Sequence, residues 1–158
     1  MGSEKKLKEL QFVELQMLKD IAAVCNKLGI RYYAADGTLL GAIRHKGFIP
    51  WDNDIDICMS REDYEKFISE APKHLPDNLK VKTYMDSEDD AIYTARVVKI
   101  DTKLIIRFSN VAREDNAWID LWALDGMPGN AVKNKLHRIH LLFNRMLVQF
   151  SKYDELVH

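Results

Sequence analysis

The chain of 158 residues lacks three things: a long hydrophobic run, a cysteine framework and a large net charge. No apolar stretch approaches the roughly 18–20 residues that cross a bilayer, so no transmembrane segment is expected. The opening "MGSEKKLKEL" has no apolar core of the signal-peptide kind. Lys and Arg number 23 against 24 Asp and Glu, a formal charge of −1. No overall basic field is left to attract nucleic acid, which is not expected as a partner. Cys25 and Cys58 stand far apart, in apolar company and without metal-type spacing. Buried free thiols in a reducing compartment, the cytoplasm, are the expectation.

What is present is enough apolar matter for one core. Hydrophobic residues make up 47% of the chain, which suits a single folded domain over 1–158 rather than disorder. No internal repeat or low-complexity linker interrupts it. Leu7, Leu10, Val13, Met17, Ile21, Val24 and Leu28 recur at intervals of three and four, predicting a helix that Gly29 ends. "IRYYAA" (30–35) reads as a strand. "TLLGAIRHKG" (38–47) reads as a short helix, with Thr38 near its start and Gly47 closing it.

"DIDICM" (54–59) alternates acid and apolar residues, a strand with Ile55 and Ile57 turned to the core. "SREDYEKFISEAPKHL" (60–75) opens on Ser60 with Asp63 three residues on, close to a capping box. That helix should bury Tyr64, Phe67 and Ile68. "KVKTYM" (80–85), "AIYTARVVKI" (91–100) and "KLIIRFS" (103–109) read as strands, the last two joined near Asp101-Thr102. "AWIDLWAL" (117–124) is another, stopped by "DGMPGN". A long amphipathic helix should run from Ala131 to about residue 156. The order predicts an α+β fold, a mixed sheet with flanking helices.

Asp54 and Asp56 are the first chemical signal. Alternate residues of a strand share a face, so the two carboxylates project together about 6–7 Å apart. They repel unless a cation or a proton lies between them. All-oxygen ligands suit Mg²⁺, which takes one or two carboxylates and completes its shell with water and phosphate. Asp120, flanked by Trp118, Ile119, Leu121 and Trp122, is an acid inside an apolar strand and needs a partner. A metal shared with Asp54 and Asp56 would supply one. Gly37-Thr38, between a strand and a helix, offers close backbone approach and a helix N-terminus for a phosphate.

The stretch "YYAADGTLLGAIRHKGFIPWDNDIDICMSREDYEKF" strongly resembles the signature of the LicD family, within the DNA polymerase beta-like nucleotidyltransferase fold. "WIDLWALDGMP" is similar to the family's second block, and with the first helix the resemblance covers about residues 7–128. It implies a nucleotidyltransferase-like sheet and transfer of a phospho-substituent, typified by phosphocholine, from a CDP-linked donor to a glycan or lipid-linked glycan. Fukutin-type relatives move phospho-alditols. By the resemblance Asp54 and Asp56 are the metal-binding and catalytic pair, Asp120 the third carboxylate, and Gly37 and Thr38 the nucleotide-phosphate motif. Arg44 and His45 match its "RH", and the ion is Mg²⁺ or Mn²⁺.

Asp36 stands where many relatives have Gly, and Asn53 where many have Asp. The resemblance also implies that longer members continue past His158, so that this chain lacks their C-terminal part. Several readings stay open. Asp52 is either a ligand or the cap of the turn after Pro50-Trp51. Trp51, Trp118 and Trp122 either pack in the core, the commoner use, or cage a quaternary ammonium. Lys133, Lys135, Arg138 and Arg145 form the wet face of a helix or meet an anionic glycan or the inner face of a membrane. Two other functions compete: transfer of a nucleoside monophosphate from a triphosphate, and non-catalytic binding of a nucleotide or partner.

Overall fold

A computed structural model of the chain describes residues 2–83, 85 and 86, 94–108 and 111–151. The chain divides into two compact units, Met1–Leu124 and Asp125–His158.

The first unit opens with α1 (Gly2–Leu28). It starts earlier than the apolar rhythm alone predicts, because Glu4 and Lys8, one turn apart, pair at 3.1 Å and support the first turns. Met17, Ile21, Val24 and Cys25 lie fully in the core, and Leu10, Val13, Leu18 and Leu28 pack against it. Gly29 ends the helix at φ 65°, a left-handed conformation that glycine adopts without steric cost. Then follow β1 (Tyr32–Ala34), α2 (Asp36–His45), β2 (Asp56–Ser60) and α3 (Arg61–Glu70). The Ser60 hydroxyl accepts from the Asp63 N–H and donates to its carboxylate, the expected reciprocal cap. Phe67 is fully buried, with Tyr64 and Ile68 packed beside it. α3 ends at Glu70 rather than at the expected Leu75, as Pro72 sits in a short 3-10 turn over Ala71–Lys73.

The remaining strands are β3 (Leu79–Lys82), β4 (Ala95–Phe108) and β5 (Val111–Leu124). β3 ends before residue 85, since Asp86 takes the Thr83 N–H and hydroxyl into a turn. Tyr84, residues 91–93 and Ser109, all assigned to strands from sequence, lie outside the described residues. The two strands expected around Asp101-Thr102 are one, with a register shift between Lys99 and Leu104. The Thr102 hydroxyl donates to Lys99 O at 2.6 Å and accepts from Ala117 N at 2.8 Å, so the irregularity keeps its hydrogen bonds. β5 likewise starts well before its apolar segment, carried by pairing with β4.

The five strands form one mixed sheet in the order β1-β2-β5-β4-β3, consistent with an α+β fold. Only β2 and β5 run parallel; the other pairs are antiparallel. Ile57 and Met59 of β2, Val97 of β4, and Ile119 and Leu121 of β5 join α1 and α3 in the core. Alternation therefore sends Asp56, Arg96, Trp118, Asp120 and Trp122 to the other face. Cys25 and Cys58 are buried free thiols, as expected.

The second unit holds α4 (Ala131–Ser151). Asn130 caps it, its side-chain oxygen accepting from Val132 N and Lys133 N. The expected continuation to about 156 lies outside the described residues. Among the described residues no helix is long and apolar enough to cross a membrane.

Candidate functional site

Asp56 on β2 and Asp120 on β5 are direct register partners, and Asp120 is in turn the partner of Arg96 on β4. Acid, acid and base thus form one row across three strands, about 4.8 Å per step. Arg96 Nε donates to Asp120 Oδ1 at 2.7 Å, and Trp118 Nε1 donates to Oδ2 at 2.9 Å. The Arg96 guanidinium also lies 4.8 Å from the centre of the Trp118 ring. The partner that Asp120 requires is therefore supplied by the protein itself, and Asp120 is only 9% exposed. Trp122 Nε1 donates to Asp56 Oδ1 at 2.9 Å, so each acid of the row holds one indole.

Asp54 precedes β2, but pairing begins beside it, since Asp120 N donates to Ile55 O at 3.0 Å. Burial pushes the Asp54 carboxyl up to about 6, helped by a hydrogen bond with Asp52 and by the charges of Asp56, Asp52 and Asp120. Asp56 is also raised, by burial first, while the Trp122 hydrogen bond opposes the shift. These are carboxylates crowded at one strand end. Among the described residues no three His, Cys, Asp or Glu side chains are already grouped as a metal cage.

Thr38 and Gly37 reach this place from α2. The Thr38 hydroxyl accepts from Asp56 N at 2.9 Å and so fixes the start of β2. α2 has no side-chain cap, Ala35 being its N-cap residue, which leaves its first N–H groups open to an anion. A Cβ on Gly37 would stand 2.5 Å from Asp52 Oδ2, so any larger residue here would push that carboxylate aside. That carboxylate already faces the helix start, so a phosphate could join it only with a cation between. Asp52 also closes the turn from Ile49, its N–H donating to Ile49 O at 3.0 Å. Gly37, Thr38 and Asp52 line a cavity of about 440 Å³ with Leu15, Leu18 and Phe48.

Arg44 and His45 are less closely joined to the acids. Both are exposed in the last turn of α2, about 10 Å along its axis from Gly37. Arg44 makes no ion pair among the described residues, and His45 lies edge-on to Trp51 with ring centres 6.4 Å apart. The residue that turns left-handed after α2 is Lys46 at φ 58°, not the expected Gly47. Core packing does not describe Trp51 or Trp122, which are 77% and 43% exposed, whereas Trp118 is partly buried.

Three contributors escaped the sequence reading. Arg96 was visible as a cation between the apolar Ala95 and Val97. Glu14 was visible as an acid on the apolar stripe of α1, between Leu10 and Met17. It is 2% exposed, and burial with the charges of Asp54, Asp52 and Asp120 pushes it up to about 9. Gln11 donates to Asp52 O at 2.8 Å, mooring the 49–52 turn to α1.

Residues 29–152 match the family model described as LicD/FKTN/FKRP, nucleotidyltransferase domain. The chain is 35% identical over 144 residues to the lipopolysaccharide cholinephosphotransferase LicD of Haemophilus influenzae, covering 87% of this chain and 53% of that protein. It is 44% identical over 43 residues to the ribitol 5-phosphate transferase FKRP of Mus musculus and Homo sapiens, covering 27% of this chain and 9% of those proteins. The chain spans about half the length of the Haemophilus relative.

Proposed function

From a chain that belongs to the LicD/FKTN/FKRP nucleotidyltransferase-domain family, we propose a transferase that moves phosphocholine or a related phospho-substituent from a CDP-linked donor to a glycan hydroxyl. The observation that carries this reading is the side-by-side placement of Asp56 and Asp120 on parallel strands, with Asp54 at the strand end. Acids this close, with oxygen the only donor atom, fit a hard divalent cation such as Mg²⁺ or Mn²⁺. The raised Asp54 and Asp56 carboxyls support that fit, since burial and the neighbouring acids both disfavour their charge and a bound cation would offset this. When bound, the cation neutralises charge on the donor diphosphate and on the transferring phosphoryl group.

The protein's part is to position and to exclude alternatives. Asp54 and Asp56 would hold the ion, with Trp122 orienting Asp56 through its Oδ1. Thr38 fixes the backbone of Asp56, and the open N-terminus of α2 would receive donor phosphate beside the ion. Asp120 is oriented by Arg96 and Trp118 and would complete the site, accepting the proton of the acceptor hydroxyl. Attack would fall on the phosphorus distal to the nucleoside, and CMP would leave. Arg44, at the far end of α2, would meet charge on the donor from outside the acid row. An acceptor held at the inner face of a membrane would suit this chemistry in the cytoplasm.

The test is a binding screen of CDP-choline, CDP-ribitol, CDP-glycerol and CTP with and without Mg²⁺, followed by turnover with product analysis. Release of CMP from a CDP-linked donor supports the proposal. Pyrophosphate from CTP would assign nucleotidyl transfer instead. Metal-dependent nucleotide binding without turnover on any glycan acceptor would leave a binding domain.

A further inference from the structure

Glu14 is the acid that the fold has least reason to bury. Leu10, Met17 and Leu18, three and four residues away on the same helix, are apolar members or neighbours of the core. Glu14 nevertheless exposes only 2% of its surface, and among the described residues its Oε2 has no hydrogen-bond partner. An unmet buried oxygen of this kind costs about 1–3 kcal/mol, and more when charged. A leucine here would continue the stripe at no such cost. The charges that bear on Glu14 are those of Asp54, Asp52 and Asp120, in that order. Burial raises the carboxyl first, and the charges that add to the shift among the described residues are all acids. One turn earlier, Gln11 binds the backbone oxygens of Ile49 and Asp52 at 3.4 and 2.8 Å. That fixes α1 against the segment leading into Asp54.

We propose that Glu14 is a fourth carboxylate of the cation site, its open Oε2 coordinating the ion or accepting a hydrogen bond from water the ion carries. The inference rests on the divalent cation of the proposed function and adds α1 to the elements that hold it. An ion that keeps several waters can use an oxygen just beyond direct reach, because each water donates outward. The same contact would satisfy the buried oxygen and offset the repulsion among the four acids. α1 then serves the site chemically as well as closing the core.

The probe is Mn²⁺ alone, titrated into the full chain and followed by the paramagnetic resonance of the free ion. Four proteins are compared: the parent, Glu14→Gln, Glu14→Met and Asp56→Asn. Gln keeps the shape of Glu14 and Met suits the apolar stripe, so both should fold, with metal-free melting temperatures equal to the parent's or higher. The expected result is saturable binding by the parent and an affinity reduced tenfold or more in both Glu14 variants and in Asp56→Asn. Glu14 variants within twofold of the parent, beside a weakened Asp56→Asn, would overturn the role of Glu14 and leave the cation site standing. A loss confined to Glu14→Met would also overturn it, since Gln removes the same charge. No saturable Mn²⁺ binding by the parent would overturn both the inference and the cation reading beneath it.

Discussion

Arg96 and Asp120 face each other as register partners on β4 and β5, and their side chains close to 2.7 Å. The pair is largely withdrawn from water, so its two members depend on each other. Replacing Asp120 by Asn keeps one acceptor oxygen but removes the charge that Arg96 answers. It also sets an amide N–H₂ in the region where Arg96 and the Trp118 indole both donate. Asp120→Asn should destabilise the chain by about 1–3 kcal/mol, and thermal melting should show the loss with chelator as well as with Mg²⁺. Transfer activity should vanish with it. An unchanged or raised melting temperature in chelator would mean that relief among the acids outweighs the lost ion pair.

Stability should fall as pH rises. Glu14 is pushed up to about 9 and Asp54 to about 6, whereas carboxyls in an unfolded chain titrate near 4. Above about pH 4 the folded protein holds protons that the unfolded chain has released, so deprotonation favours unfolding. The Asp54 contribution is spent just above pH 6, and that of Glu14 continues to about 9. A melting series in chelator from pH 5 to 9 should therefore decline throughout. Saturating Mg²⁺ should flatten it, the cation taking the place of the protons. A rise in melting temperature over that range would contradict both assignments.

Gly41 offers a purely steric prediction. A Cβ there would meet Gly47 O at 2.6 Å and Ile49 N at 2.9 Å. Both are backbone atoms, which cannot rotate aside. Gly41→Ala should cost about 1–3 kcal/mol and push the 47–49 segment, with Asp52 and Asp54 beyond it, off α2. Denaturant unfolding measures the first effect. The second should appear as weaker nucleotide binding even at temperatures where the variant is fully folded.

The legible parts of the fold were those with local causes. The stripe from Leu7 to Leu28 and the Ser60–Asp63 cap are each written within a few residues, and both helices follow them. Asp101-Thr102 looked like a turn because its cause is distant: Thr102 bonds to Ala117 across the hairpin and keeps the strand continuous. Val111–Asn116 carries little strand signature and is a strand through β4 alone. Within the site, Asp54, Asp56 and Asp120 could be nominated from sequence, but not the register that sets Asp56 beside Asp120. Arg96 and Glu14 were legible only as breaks in an apolar pattern, a signal that becomes chemical once the neighbours are known. Asp36 shows the reverse case. Its φ of 40° lies where glycine is at ease, a backbone demand that the aspartate in the sequence does not announce.

The parallel pairing of β2 with β5 also governs when the acids first meet. Asp56 and Trp122 touch across 66 positions of chain, and no hairpin can join parallel neighbours. Closing so long a loop spends chain entropy before any contact repays it, and contacts this distant in sequence slow folding. During synthesis β2 emerges well before β5, so Asp54 and Asp56 spend that interval solvated and apart from Asp120. Their repulsion with Asp120 is therefore postponed to the closing step, when β5 pairs with β2.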